Sequence, residues 1–158
     1  MAQTYELPKQ QGSRSLVVGT AELRAAVVDI VSHAQRTLAI LTPDLEPEIY
    51  EHEDFLVALK RFVLAKSFTR VRVLISDPGR AIKPGNQLVQ MGQRLSSYIE
   101  FRNLSETLRP ENQAYCIGDN DAIVYRANHV TGEGMVAHQT PEIAKLYLAE
   151  FDELWNAS

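Results

Sequence analysis

The chain has little cysteine and no long apolar run, and each absence excludes a class of protein. Cys116 is the single cysteine among 158 residues, which excludes an internal disulfide and a cysteine-rich zinc site. No run of about 18 apolar residues is present, so a transmembrane helix is not expected. The N-terminus lacks the basic-plus-apolar pattern of a signal peptide. We therefore expect a cytoplasmic protein with no membrane partner.

Charge of one sign is only slightly in excess. The 16 Lys and Arg residues and 20 Asp and Glu residues give a net charge of −4. This balance argues against indiscriminate binding to nucleic acid or anionic membranes, although a local basic patch is compatible with it. The apolar fraction of 45% is sufficient for the core of one domain without a structural metal, and we expect no cofactor.

Beyond a polar N-terminal segment, the apolar residues alternate between helical and strand periods. Residues 1–15 are predicted to be a flexible lead-in, and residues 16–158 a single α/β domain. Helical spacing predicts helices over about residues 21–35, 52–66 and 86–96, the first capped by Thr20. Apolar runs predict strands at residues 37–41, 70–76 and 98–102, an order typical of a parallel sheet with right-handed crossovers.

The stretch from Asn112 to Arg126 is predicted to form two strands with a turn at residues 119–121, because its apolar residues alternate. Cys116 lies inside the first strand, which indicates a buried, unreactive thiol. A turn at residues 132–134, a last short strand at residues 135–138 and a helix capped by Thr140, with Pro141 at its first position, complete the chain.

The spacing within this stretch resembles the motif of the phospholipase D family. Its members carry His-x-Lys, then four residues, then Asp, and further on an Asn. Asn112 stands at the position of the His and Ala114 at that of the Lys, whereas Asp119 and Asn128 match. The resemblance extends from about Thr20 to Trp155 and includes the segments TLAILTPDL, VRVLISD, YIEFR and the closing FDELW.

This resemblance implies a single α/β domain with a mixed sheet flanked by helices. In active members the His attacks phosphorus, a second His protonates the leaving oxygen, the Lys neutralises phosphate charge, and the Asp orients a His. Asn112 cannot act as that nucleophile because its amide nitrogen lone pair is delocalised, and Ala114 brings no charge. We therefore predict no catalytic residue, and a loss of activity on the order of several powers of ten.

A ligand-binding cleft is nevertheless expected at the carboxyl ends of the parallel strands, where open α/β sheets bind ligands. Cationic side chains there would attract an anion, and amides would donate hydrogen bonds to it. The alternative is that the arginines are solvated or pair with neighbouring acids. The predicted binding residues are Arg80, Lys83, Arg102, Arg126, Asn112, Asp119 and Asn128.

Three functions follow from these expectations. The first is a catalytically inactive binding or regulatory module for a phosphate-containing ligand or a partner protein. The second is an active phosphodiesterase or nuclease with a relocated nucleophile such as His129 or His138, and the third is a purely structural interaction domain. The resemblance also implies a homodimer about a two-fold axis, with the hairpin near the interface, and suggests an acetyltransferase-like partner.

Overall fold

The architecture is a single α/β domain built on one mixed sheet, as predicted. The computed structural model describes residues 13–80, 82–108 and 112–158. Within these ranges seven strands form the sheet, in the spatial order β1-β7-β6-β5-β2-β3-β4. The strands are β1 (Ser13–Val18), β2 (Thr37–Thr42), β3 (Arg70–Ile75), β4 (Ile99–Asn103), β5 (Ala114–Gly118), β6 (Ala122–Arg126) and β7 (Glu133–His138).

Helices cover both faces of this sheet, and none of them, within the described ranges, has the length and apolarity needed to cross a bilayer. The three helices predicted before the hairpin and the closing helix are all present. The helices are α1 (Thr20–His33), α2 (Pro47–Tyr50), α3 (Glu53–Ala65), α4 (Gln87–Arg94) and α5 (Pro141–Asn156), with a 3-10 turn at Glu106–Leu108.

The parallel half of the sheet consists of β2, β3 and β4, and the antiparallel half of β5, β6, β7 and β1. β2 joins the two halves and is buried on both faces, which explains its nearly continuous apolar sequence. It ends at Thr42, immediately before Pro43, because proline cannot donate a ladder hydrogen bond. β5 runs antiparallel to β2, so β5 begins at the edge where β2 ends.

Two apolar cores form, one on each face of the sheet. Alternate residues of the strands point to opposite faces, so Ile40 and Cys116 belong to the core beneath α1 and α3, and Leu41 and Tyr115 to the core beneath α5. Cys116 is 1% exposed, which confirms the buried thiol, and burial raises its pKa to about 12.

The N-terminal part of the described chain differs from the prediction. Ser13–Val18 forms a strand, although residues 1–15 were predicted to be a lead-in; residues 1–12 lie outside the described ranges. This strand is the sheet edge and pairs with β7, but its side chains are largely exposed, Leu16 to 79%. The strand therefore depends on pairing with a segment 120 residues away and not on an apolar alternation of its own.

The predicted helix caps are also corrected. Gly19, with φ 92°, is the N-cap of α1 in place of Thr20, and the Glu22 carboxylate accepts the N–H of Val18 at 2.8 Å. Thr140 occupies the N-cap of α5 with Pro141 following, yet its hydroxyl makes no cap hydrogen bond. The short helix α2 lies between the strand predicted at residues 37–41 and the helix predicted at residues 52–66, and Glu133 and Gly134 belong to β7 rather than to a turn.

Candidate functional site

A cleft of about 660 Å³ lies at the carboxyl edge of the parallel strands, where the sequence predicted a binding site. Three of the predicted residues, Arg80, Lys83 and Arg126, line it. They come from the loop after β3 and from the end of β6. The segment from Pro43 to Ile49, which follows β2, and the loop from His129 to Gly132, here called the rim loop, also line the cleft.

Arg126 is the most buried cation of the cleft and is fully engaged by Glu46. The guanidinium donates to the two carboxylate oxygens at 2.7 and 2.8 Å, and the Thr42 hydroxyl donates to the same carboxylate at 2.9 Å. Burial lowers the pKa of Arg126, but the hydrogen bond and charge of Glu46 outweigh it, so the net shift is upward. The charge of Arg126 is therefore neutralised within the fold and is not available to a ligand.

Local backbone geometry places Glu46 in this position. Leu45 has a φ of 69° and Glu46 a φ of 24°, and residues other than glycine rarely adopt such positive values. The main-chain N–H of Glu46 donates to Asp44 Oδ1 at 3.2 Å, which holds the turn after β2. No local sequence pattern pairs Glu46 with a residue 80 positions away.

Arg80 is likewise engaged by carboxylates, although it is about half exposed. Its guanidinium contacts Asp44 at 2.9 Å and Asp77 at 3.2 Å, so it joins the loops that follow β2 and β3. The hydrogen bond to Asp44 raises the pKa of Arg80, and Asp77 adds to the shift. The alternative that the arginines pair with neighbouring acids therefore holds for both arginines of the cleft.

Lys83 and His129 are the remaining basic side chains of the cleft. Neither forms an ion pair within the described part of the chain; Lys83 is exposed and His129 partly buried. The main-chain N–H of His129 donates to the carbonyl of Asn112 at 2.8 Å. His129 therefore lies beside Asn112.

The positions compared with the family His and Lys carry no reactive group. Asn112 is exposed, with φ 58°, and precedes β5 at the same edge of the sheet. Ala114 is the first residue of β5 and is fully buried. Asn112 therefore presents an amide and Ala114 a buried methyl group.

Asp119 does not join Asn112 in one cleft. The two residues lie at opposite ends of β5, roughly 20 Å apart along an extended strand. The Asp119 carboxylate accepts the main-chain N–H groups of residues 35, 36 and 37 at 3.1, 2.7 and 3.1 Å. Its role is therefore to hold the α1–β2 loop against the hairpin turn.

Arg102 and Asn128 also have structural partners. The Arg102 guanidinium donates to the carbonyl of Trp155 at 2.8 Å and lies 4.4 Å from the centre of its ring, on the α5 face and away from the cleft. The Asn128 side-chain oxygen accepts the N–H of Val130 at 2.9 Å and so shapes the rim loop.

A second cleft, of about 440 Å³, lies at the opposite edge beside Asp119. Asp29 stands between two imidazoles there, 3.3 Å from His33 and 3.3 Å from His138. His138 is therefore remote from the main cleft. Across residues 13–80, 82–108 and 112–158, no three histidine, cysteine or acidic side chains are arranged to hold a metal ion.

The fold belongs to a known structural class. The chain is similar to Nuc from Salmonella typhimurium, a phospholipase D family member, with a TM-score of 0.63 and 18% identity over 92% of this chain and 96% of Nuc. For NucT from Helicobacter pylori the TM-score is 0.60 and the identity 13%, over 92% of this chain and 97% of NucT. For TrmBL2, an archaeal chromatin protein with a novel mode of DNA binding, the TM-score is 0.63 and the identity 14%, over 96% of this chain and 54% of TrmBL2.

These likenesses establish a phospholipase D-like fold. The family model described as "Domain of unknown function (DUF7931)" matches residues 19–158, and the chain belongs to that family. No curated protein matches the sequence.

Proposed function

We propose that the chain is a binding or regulatory module that keeps a phospholipase D-like fold without phosphodiester hydrolysis. The observation that carries this proposal is the pair Asn112 and Ala114. Asn112 has no nucleophilic nitrogen, and Ala114 is buried and uncharged. A phosphohistidine intermediate cannot form at this position, and no ammonium stands there to neutralise the phosphate.

The charges of the cleft support binding over hydrolysis. Its two arginines stabilise the loops through carboxylates, which leaves Lys83 and the imidazole of His129 to contact a ligand. The ligand class is a small phosphate-containing molecule, because an ammonium and an imidazole donor suit one anionic group. TrmBL2, which shares this fold, is a chromatin protein that binds DNA, so the fold is compatible with a binding role.

Thermal unfolding with phosphate ligands tests the proposal. A ligand that binds only the folded chain raises the melting temperature by mass action. We expect a shift with inorganic phosphate, pyrophosphate or a nucleotide that Lys83→Gln abolishes. Lys145→Gln, an exposed lysine on α5, serves as the matched control and should keep the shift. The absence of any shift would favour a partner protein or a purely structural role instead.

One observation favours a second candidate, an active phosphodiesterase that uses His129. This imidazole lines the cleft, and its main chain is bonded to Asn112, whereas His138 lies at the opposite edge. Hydrolysis of bis(p-nitrophenyl) phosphate separates the candidates. If the second is right, His129→Ala abolishes turnover, while His33→Ala, at an exposed histidine outside the cleft, leaves it unchanged.

We also propose that the chain forms a homodimer with the end of the hairpin near the interface. Val130, on the rim loop that follows the hairpin, is 74% exposed and offers an apolar contact beside the cleft. Sedimentation equilibrium over a range of protein concentrations should show a dimer, and Val130→Asp should shift the distribution to monomer. A wild-type chain that stays monomeric at every concentration would refute the proposal. The acetyltransferase-like partner stays a prediction.

A further inference from the structure

The outward face of α3 and the loop after it combine cations with exposed apolar side chains. We define the α3 surface as Arg36, Lys60, Arg61, Leu64, Lys66 and Phe68. All six side chains are exposed, with Leu64 at 57% and Phe68 at 47%. Leu64 follows Lys60 by four positions and Arg61 by three, so it lies next to each of them on the helix surface. This surface lies at the amino edge of the parallel strands, away from the main cleft.

The four cations of the α3 surface differ from the arginines of the cleft. Within the described residues none of them forms an ion pair with a carboxylate, whereas Arg80 and Arg126 both do. Lys66 donates to the side-chain oxygen of Gln35 at 2.9 Å. The acidic residues of α3, Glu53 and Asp54, lie in its first turn, at the far end of the helix. The side chains of these four cations are therefore not paired with carboxylates in the part of the chain that the structure describes.

Two of these cations lie close to the aromatic ring of Phe68. The Arg36 guanidinium lies 5.2 Å and the Lys66 ammonium 5.5 Å from the centre of its ring, both within cation–π range. Arg61 and Lys66 together line a cavity of about 170 Å³ between α1 and α3, so these two cations lie close together. Two of the four cations thus lie against an apolar side chain, and Arg61 lies beside one of them.

The chemistry of the surface selects its partner. A second copy of the chain would bring like charges face to face, which disfavours a symmetric contact here. The cations alone would suit any polyanion. Leu64 and Phe68 need an apolar environment as well, and a lipid interface offers anionic headgroups above an apolar interior.

We propose that the α3 surface binds the face of a membrane that contains anionic phospholipids. The four cations contact headgroup phosphates, and Leu64 and Phe68 enter the region between headgroups and acyl chains. The net charge of −4 is a sum over the whole chain, so it does not reveal that these four cations lie on one surface.

Co-sedimentation with vesicles tests the proposal. We expect the full chain to bind phosphatidylglycerol–phosphatidylcholine vesicles and not pure phosphatidylcholine, with weaker binding at higher salt. Lys60→Glu/Arg61→Glu should weaken binding by at least about tenfold, because each cation near an anionic surface contributes about fivefold. Leu64→Gln should weaken binding to the same vesicles at fixed salt. The matched control is Lys145→Glu/Leu146→Gln on α5, where both residues are exposed, and its binding should be unchanged.

Circular dichroism and melting temperature verify that the variants fold. No binding to phosphatidylglycerol vesicles would overturn the proposal, and so would binding that the α3 variants leave intact. Loss of binding with the charge variant but not with Leu64→Gln would contradict the insertion of apolar side chains. A single-stranded oligonucleotide bound through the same residues in the absence of vesicle binding would assign the surface to nucleic acid instead.

Discussion

Removal of Arg126 should destabilise the protein far more than removal of Arg80, although both arginines line the cleft. The Arg126 and Glu46 side chains are 6% and 15% exposed, whereas that of Arg80 is 53% exposed. Arg126→Met keeps most of the apolar stem but leaves the Glu46 carboxylate buried with the Thr42 hydroxyl as its remaining hydrogen-bond donor. Breaking a buried ion pair in this way costs about 3–5 kcal/mol.

The exposed pair provides the matched control. Arg80→Met removes contacts to Asp44 and Asp77, yet solvent screens them, so we expect a loss of about 1 kcal/mol or less. The double variant Arg126→Met/Glu46→Gln removes both buried charges. It should therefore be more stable than the sum of the single changes predicts, with a coupling of about 2 kcal/mol or more.

Urea unfolding followed by circular dichroism measures these differences, and equal slopes across the variants justify the comparison. A cost of about 4 kcal/mol is a large share of the 5–15 kcal/mol typical of a domain, so Arg126→Met should be close to unfolding at 37 °C. Equal losses of stability in the two arginine variants, or additive effects of Arg126→Met and Glu46→Gln, would refute this prediction. Either result would mean that the ion pair between Arg126 and Glu46 contributes little to stability, so Arg126 would be free to contact a ligand.

Three further predictions concern residues outside the cleft. Asp119→Ala should lower the free energy of unfolding by about 1–3 kcal/mol, because the N–H groups of residues 35–37 lose their acceptor. Asp119→Asn keeps one oxygen and should lower it less. Equal losses of stability for the two variants in urea unfolding would contradict this prediction. Burial raises the pKa of Cys116 from 9.0 to about 12, so the native thiol should not react with Ellman's reagent at pH 8 but should react in urea. Because the folded state holds the Cys116 proton more tightly than the unfolded state, the contribution of this proton to stability is complete below about pH 9 and is lost as the pH rises towards 12. A native thiol that reacts as fast as free cysteine would show instead that Cys116 is exposed. Gly134→Ala would place a Cβ 2.8 Å from Leu23 and 3.1 Å from the stem of Arg126, so its melting temperature should fall, whereas Gly79→Ala, whose nearest atom is 3.7 Å away, should melt like the wild type.

Much of the fold follows from local apolar patterns. The run at residues 37–41 predicts a strand buried on both faces, and β2 occupies that position between the parallel and antiparallel halves. The helical stripe after Pro141 predicts α5, whose apolar side covers the second core. These elements were predictable because each one buries a face that its own sequence displays.

The missed features depend on contacts between distant segments. β1 is held by pairing with β7, and its largely exposed side chains give no apolar signal. Glu46 reaches Arg126 because Leu45 and Glu46 adopt positive φ values, and the residue types at these two positions do not predict such a turn. The spacing of the motif places Asp119 correctly on the hairpin, but sequence alone does not reveal that its carboxylate binds the loop before β2. Local sequence patterns therefore located the cleft, but they did not show which of its charges stabilise the structure.

The most direct test of the central claim is the rate at which the purified full chain hydrolyses a simple phosphodiester. We predict a rate indistinguishable from the buffer blank over the neutral pH range, because our proposal compares Asn112 and Ala114 with the reactive pair, and these residues bring neither a nucleophile nor a charge. Turnover above the blank that survives repurification and disappears in the His129→Ala variant would contradict this account.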